Sequence, residues 1–455
     1  MKLVSVNPTT GETIREYEKW THDEVSRVIG HVHDGWLGWR NTSFSERAHL
    51  MSALAAKLHD KKEELAHTIT LEMGKPINES RAEIDKCAWA SDYFAENAET
   101  FLHIETLGSD AHKSYVRFDP LGVILAIMPW NFPFWQVFRF AVPAIMAGNA
   151  VVLKHASNTM WSALTIEELF LEAGFPESLF RSLFIGSEAI PKIIVDGRIA
   201  GVTLTGSLEA GKAVAKIAGE ALKKTVLELG GSDPFIVLAD ADIELAAKNA
   251  VRSRTLNAGQ SCIAAKRFIL EKPIASEFLE RFQNRMEALV VGDPLSENTD
   301  IGPLARMDLR DGLQRQVAES LAMGANLLSG GNALNGPGAF YRPTILTDIK
   351  QRMPAYYQEL FGPVAVVILA ENAEDAMNKA NDTDFGLGAS IWTGNVSRAE
   401  ALAGGVDAGS VFINGIVKSD PRLPFGGVKN SGYGRELSAY GIKEFVNIKT
   451  VWVGG

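Results

Sequence analysis

Cysteine is nearly absent from this chain: Cys87 and Cys262 are the only two among 455 residues. So few exclude a disulfide framework or a cysteine-based zinc cluster, and they fit a reducing, cytoplasmic setting. Positive charge is scarce too. The 45 Lys and Arg are outnumbered by 55 Asp and Glu, for a net charge of −10, so a phosphate-gripping face and a nucleic-acid partner are not expected. No apolar run reaches the ~18 to 20 residues that cross a bilayer, and no membrane partner is expected. The start, Lys2-Leu3-Val4-Ser5, lacks the apolar core of a secretion signal. Fixed-period repeats and low-complexity tracts are missing, which excludes solenoids and arrays. What remains, 46% hydrophobic and 22% charged residues, is the composition of a globular chain. Its length suggests about three folding units at ~150 residues each.

Residues 21 to 105 read as helical, with Val25, Val28, Ile29 and Val32 at helical spacing and Thr21 with Glu24 as a capping box. From about residue 114 the texture changes to short apolar strands (122–128, 149–154, 199–205, 225–229) alternating with helical stretches. That alternation marks parallel α/β units. It resumes after Cys262, at 267–270, 364–369, 389–392 and 409–413. The pattern gives two α/β domains with a boundary near Gly230-Gly231. Segments 113–119 and 448–453 are extended and fit neither, and an unpaired terminal strand invites pairing with a second copy of the chain.

Cys262 ends the run Asn257-Ala258-Gly259-Gln260-Ser261-Cys262. A lone cysteine is most often a small buried hydrophobe. Here the polar, flexible residues before it place the sulfur in a loop, where a thiolate can attack a carbonyl carbon if its pKa is lowered or a base is near. No histidine flanks it. Glu228 closes the apolar strand Val226-Leu227-Glu228, at the carboxyl end where open α/β sheets bind ligands. It is either a salt-bridging carboxylate or, with a pKa raised by apolar neighbours, a general base. Asn131, in Trp130-Asn131-Phe132-Pro133, either caps the next helix or aims its amide at an oxyanion. The turn Thr205-Gly206-Ser207, followed by Gly211, would turn backbone N–H groups toward a pyrophosphate, although its spacing is not the dinucleotide fingerprint. Lys154, at the end of a strand, is an exposed lysine or a ribose contact.

These motifs occur in order with Glu359-Leu360-Phe361-Gly362-Pro363 and Pro424-Phe425-Gly426-Gly427. Together they resemble the NAD(P)-dependent aldehyde dehydrogenase superfamily over residues 5 to 455. The resemblance implies a Rossmann-like cofactor domain (1–112 and 121–230), an α/β catalytic domain (231–425) and a small β oligomerisation flap (113–120 and 440–455), as a homodimer or homotetramer. It implies that Cys262 attacks an aldehyde, that Asn131 and the Cys262 N–H hold the oxyanion, and that Glu228 activates the water that hydrolyses the thioester. For the cofactor, NADP or NAD, it assigns Trp130, Lys154, Ser157, Gly206, Ser207, Gly211, Leu229, Glu359 and Phe361.

Within the superfamily, Trp135-Gln136-Val137-Phe138-Arg139, Lys154-His155-Ala156 and Phe412-Ile413-Asn414-Gly415 resemble the short succinate-semialdehyde dehydrogenases. The substrate implied is succinate semialdehyde; the alternatives are another small or ω-carboxylated aldehyde, or a coenzyme A-acylating semialdehyde dehydrogenase, against which Glu228 argues because thiol transfer needs no water-activating base. Asn131, Trp135 and Arg139 fall at i, i+4 and i+8 of one predicted helix, so Arg139 is the expected clamp for the far carboxylate, with Ser419 adding a hydrogen bond. Two departures stand out. Leu256 occupies a position where longer relatives carry a second arginine. Ser157 replaces a glutamate typical of NAD-preferring relatives; with Lys154 and His155 nearby, its neutrality makes NADP acceptable.

Overall fold

The computed structural model describes residues 2–454. Four helices open the chain after an N-terminal hairpin: His22–Trp39, Phe44–Asp60, Lys62–Met73 and Ile77–Phe101. The expected capping box is present, with Thr21 Oγ1 accepting from Glu24 N–H and the Glu24 carboxylate accepting from Thr21 N–H. The hairpin itself, Lys2–Val6 with Thr13–Glu18, was not expected from the sequence. Only Leu3 and Ser5 in its strands are buried, and Ser5 is polar, so the apolar period-two pattern is weak.

Two twisted sheets carry the molecule. In the first, Val123–Met128, Ala150–His155, Phe180–Ser182, Ile199–Thr205 and Lys224–Glu228 run parallel, with Val123–Met128 between Ala150–His155 and Ile199–Thr205. Parallel strands buried on both faces need near-continuous apolar runs, and in Val123–Met128 only Ile127 is not fully buried. The second sheet has seven strands, with Pro234–Val237, Arg267–Glu271, Val364–Ala370 and Gly388–Trp392 at its centre. A third sheet of three strands pairs Val446–Val453 with Lys113–Pro120 and Glu105–Thr106. The two extended pieces that fit neither domain by pattern are thus partners of each other. The chain also returns to the first sheet near its end, where Gly432–Tyr433 pairs antiparallel with Lys224–Glu228. That return brings Glu436 beside the strand that ends in Glu228. Among the described residues, no helix is long and apolar enough to cross a membrane.

Candidate active site

The nucleophile loop is strained and pinned. The helix Ile243–Thr255 stops at Leu256, and Asn257, Ala258 and Gly259 follow with φ of 55°, 53° and 75°. Left-handed geometry costs a non-glycine residue roughly 1–2 kcal/mol, so neighbours must hold it. A side chain at Gly259 would run into the Gly362 carbonyl, which is why only glycine fits there. Lys266 Nζ donates to the carbonyls of Ser261, Cys262 and Ala264 at 3.0, 2.8 and 3.1 Å. Arg254 Nη2 donates to the Gly259 carbonyl at 2.7 Å, and Glu79 accepts Asn257 N–H at 2.7 Å. The result presents Cys262 half-buried, on the wall of a cavity of about 870 Å³ shared with Trp135, Arg139, Leu256, Ser419 and Phe425. Burial pushes the thiol up to about 12, opposed by Arg139 and Lys266.

Asn131 lies in the turn before the helix Trp135–Met146, not on it, so the expected three-residue stripe shrinks to Trp135 and Arg139. Nor does Asn131 cap that helix. The Glu83 carboxylate does so, accepting the N–H groups of Phe134 and Trp135 at 2.9 Å each. Its second oxygen pairs with buried Lys75, whose ammonium stands 3.8 Å from the Phe132 ring. Released from capping, Asn131 donates through Nδ2 to the Gln260 carbonyl at 3.0 Å, and its own carbonyl accepts from Asn257 Nδ2 at 2.7 Å. One Nδ2 hydrogen remains for an oxyanion beside Cys262.

Glu228 is 2% exposed, with no hydrogen-bond partner on either carboxylate oxygen. Burial raises its pKa to about 8; Arg139 opposes the shift and Glu436 adds to it. The carboxyl is close enough to Cys262 to push the thiol upward too. A carboxyl poised near neutrality beside a thiol is the arrangement a general base requires.

Arg139, the expected clamp, also has protein partners. Its guanidinium, 2% exposed, is ion-paired with buried Glu436, donates to Thr205 Oγ1 at 3.2 Å and lies 4.6 Å from the Phe425 ring. Nε and Nη2 have these partners, and the side chain still lines the cavity with Cys262, Trp135 and Ser419. Ser419 faces the cavity too: its Oγ accepts from Trp135 Nε1 at 3.0 Å and from Lys86 Nζ at 2.7 Å. Lys86 carries no family motif, and sequence reading passed over it.

On the dinucleotide side, the helix Leu208–Glu220 starts at the end of Ile199–Thr205, with Ser207 as its cap accepting from Ala210 N–H at 3.3 Å. Gly206 is half-exposed and Ser207 exposed, leaving the helix start open to an anion. Gly211 is buried instead, and a side chain there would meet Leu229 at 2.6 Å, so both are packing partners beneath the cleft. Trp130 and Phe361 meet edge to face at 5.8 Å. Glu359 reaches over Gly230, accepts Gly231 N–H at 3.1 Å and lies 3.5 Å from Lys266 Nζ. Lys154 is half-buried at its strand end and Ser157 exposed three residues on. His155 is buried, with Nε2 against the Pro133 carbonyl, and burial lowers its pKa to about 4. It is therefore neutral and structural, which corrects its expected part beside the cofactor. The open helix start, the aromatic pair, and the carboxylate above two glycines fit a dinucleotide.

A thiol, a side-chain amide and a strand-end carboxyl, set between two mainly parallel α/β sheets, are the groups that a cysteine-dependent oxidoreductase uses. The chain belongs to the aldehyde dehydrogenase family, whose model matches residues 1–451. It is 49% identical over 453 residues, covering all of both chains, to a probable NADP-dependent succinate-semialdehyde dehydrogenase of Synechocystis. It is likewise 49% identical over 456 residues, again covering all of both chains, to an NADP-dependent succinate-semialdehyde dehydrogenase of Mycobacterium tuberculosis. Succinic semialdehyde dehydrogenase of Streptococcus pyogenes, solved with NADP, superposes with a TM-score of 0.98 at 38% identity over the whole of each chain.

Proposed function

We propose that the protein oxidises succinate semialdehyde to succinate with NADP, NAD being the weaker alternative. The observation that carries the chemistry is the shared cavity wall of Cys262, with Asn131 and Glu228 close behind it. The substrate rests on the succinate-semialdehyde dehydrogenases that match the full chain.

Cys262 Sγ attacks the aldehyde carbon, and the thiol proton passes to the Glu228 carboxylate. Asn131 Nδ2 and the Cys262 N–H receive the oxyanion, with the Asn131 amide already oriented by its bond to the Gln260 carbonyl. NADP, when bound, accepts the hydride that leaves the thiohemiacetal carbon. Glu228 gives the first proton up to solvent, then takes a proton from water as that water attacks the thioester, and returns it to the departing Cys262 thiolate as the acid is released. Trp130, Gly206 and Ser207 would line the dinucleotide, Glu359 and Phe361 would hold the nicotinamide end, and Lys154 with Ser157 would meet the adenosine ribose. Removing carboxylates from that last place favours NADP: at about 4 Å and an effective dielectric of ~20, one charge pair is worth about 4 kcal/mol.

Two free cysteines, one of them the nucleophile, suit a reducing cytoplasm. The strand Val446–Val453 has one unpaired edge and leaves Ile448 and Trp452 60% and 56% exposed, which supports a homodimer or homotetramer joined there. A monomeric mass in sedimentation would exclude that assembly. Initial rates for a panel of aldehydes, each with NAD and NADP, test the activity. The expected result is the highest kcat/KM for succinate semialdehyde with NADP, and a preference for an uncharged aldehyde would overturn it.

A further inference from the structure

A buried ammonium stands behind the nucleophile loop. Lys266 is fully buried and sits just before the strand Arg267–Glu271. It lies off the wall of the cavity that Ser261 and Cys262 line. Its Nζ reaches back under the loop to the carbonyls of Ser261, Cys262 and Ala264, with the Glu359 carboxylate 3.5 Å away as counter-charge. Three acceptors consume three hydrogens, so the group is held as an ammonium. Taking a charge out of water is costly, and an apolar side chain of similar length would fill that space without the cost.

The Ser261–Cys262 peptide is trans, so its carbonyl and its N–H point in opposite directions. Fixing the Ser261 carbonyl on Lys266 therefore turns the Cys262 N–H away from the ammonium. Among the described residues that N–H has no acceptor. A cation on the carbonyl end also polarises the peptide, which makes its N–H the stronger donor. The Cys262 carbonyl is held by the same Nζ, and it lies where a side chain at Gly231 would meet it at 2.7 Å. Gly231 N–H in turn donates to Glu359 at 3.1 Å. The nucleophile loop, the glycine pair after Glu228 and Glu359 are thus tied together at Lys266.

We propose that Lys266 is a positioning residue for the oxyanion site: through the Ser261 carbonyl it aims and strengthens the Cys262 N–H that receives the oxyanion. This rests on the reading of Cys262 as nucleophile, with Asn131 and the Cys262 N–H as the oxyanion donors.

Two reactions of the same thiol test it, both run on the full chain without cofactor. In acylation by 4-nitrophenyl acetate, the thiolate adds to the ester carbonyl, an oxyanion forms, and 4-nitrophenolate leaves. In alkylation by iodoacetamide the thiolate displaces iodide and no oxyanion forms. Thiol ionisation and access enter both rate constants and cancel in their ratio, so a general loosening of the loop leaves the ratio in place. Lys266→Met should lower the ratio of acylation to alkylation about 10- to 100-fold. Asn131→Ala, which removes the other donor, should lower it about 100-fold. An unchanged ratio in Lys266→Met, with Asn131→Ala lowering it, overturns the proposal and leaves the oxyanion reading standing. An unchanged ratio in Asn131→Ala overturns that reading and the proposal with it. Should Lys266→Met fold poorly, Lys266→Gln keeps N–H donors without the charge and should lower the ratio about 5- to 10-fold; an unchanged ratio there counts equally against the proposal.

Discussion

Arg139 and Lys86 stand on packed neighbouring helices and line one cavity, yet they differ in company. Arg139 holds Glu436 and lies beside Glu228; Lys86 touches only a hydroxyl and an indole ring. A buried pair with both partners present is internally balanced. A cation without a counter-charge is balanced only when an anionic ligand arrives. The difference separates their surroundings: Arg139 and Glu436 act in opposite senses on the charge of Glu228, while Lys86 faces the cavity with Ser419. Lys154 extends the comparison, because it too is half-buried and has no ion pair among the described residues.

The largest effect should come from neither cation. Cys262→Ala removes the proposed nucleophile, and NADPH formation should fall at least ~10⁴-fold with charged and uncharged aldehydes alike. Retained turnover would end the covalent scheme, and with it the meaning of the cavity.

Arg139→Met should break the comparison if the two cations share one task. It leaves Glu436 and Glu228 buried without their cation, a change that typically costs about 3–5 kcal/mol of stability. Turnover should fall roughly 10- to 100-fold for succinate semialdehyde and butanal equally. A loss confined to the charged aldehyde would assign the clamp to Arg139. Unfolding in denaturant and the two kcat/KM values decide it.

Ser157→Glu gives Lys154 the carboxylate neighbour it lacks. KM for NADP should rise about 10-fold or more while KM for NAD changes little, because the new charge meets only the 2′-phosphate. Equal effects on both cofactors would place the adenosine ribose elsewhere.

Much of this architecture is legible before any coordinates. The apolar runs that become Val123–Met128, Ala150–His155 and Ile199–Thr205 can be read because parallel strands buried on both faces tolerate few polar residues. Cys262, Glu228 and Asn131 are visible because each sits at a strand end or in a glycine-bearing turn. The supports around them are not. Glu83 capping the helix after Asn131, Lys266 tying three carbonyls around Cys262, and Glu436 claiming Arg139 are all contacts between distant segments. No local period records such a pairing, since whether a buried charge is satisfied is decided only once the chain has folded. The same holds for Lys86, a charged residue on an amphipathic helix that reads as a solvated face until Trp135 and Ser419 close over it.

The finest test of the division concerns the pH profile. As the proposed base, Glu228 works only when ionised, and burial holds its pKa near 8, so the rate at limiting aldehyde should climb as pH rises toward and past that value. Glu436 contributes to the rise in that pKa as a like charge, whereas Arg139 opposes it. Glu436→Gln removes the repulsion and frees the guanidinium to face Glu228, and both changes favour the carboxylate. The ascending limb should therefore shift to lower pH, by about one unit. In Arg139→Met it should shift to higher pH, because the cation that favours ionisation is gone. Lys86→Met should leave this limb in place for butanal. Opposite displacements from two partners of one ion pair are hard to obtain from a general loss of structure, which would lower the rate without moving the profile. A limb that moves in the same direction in both variants would mean that the pair does not govern the base.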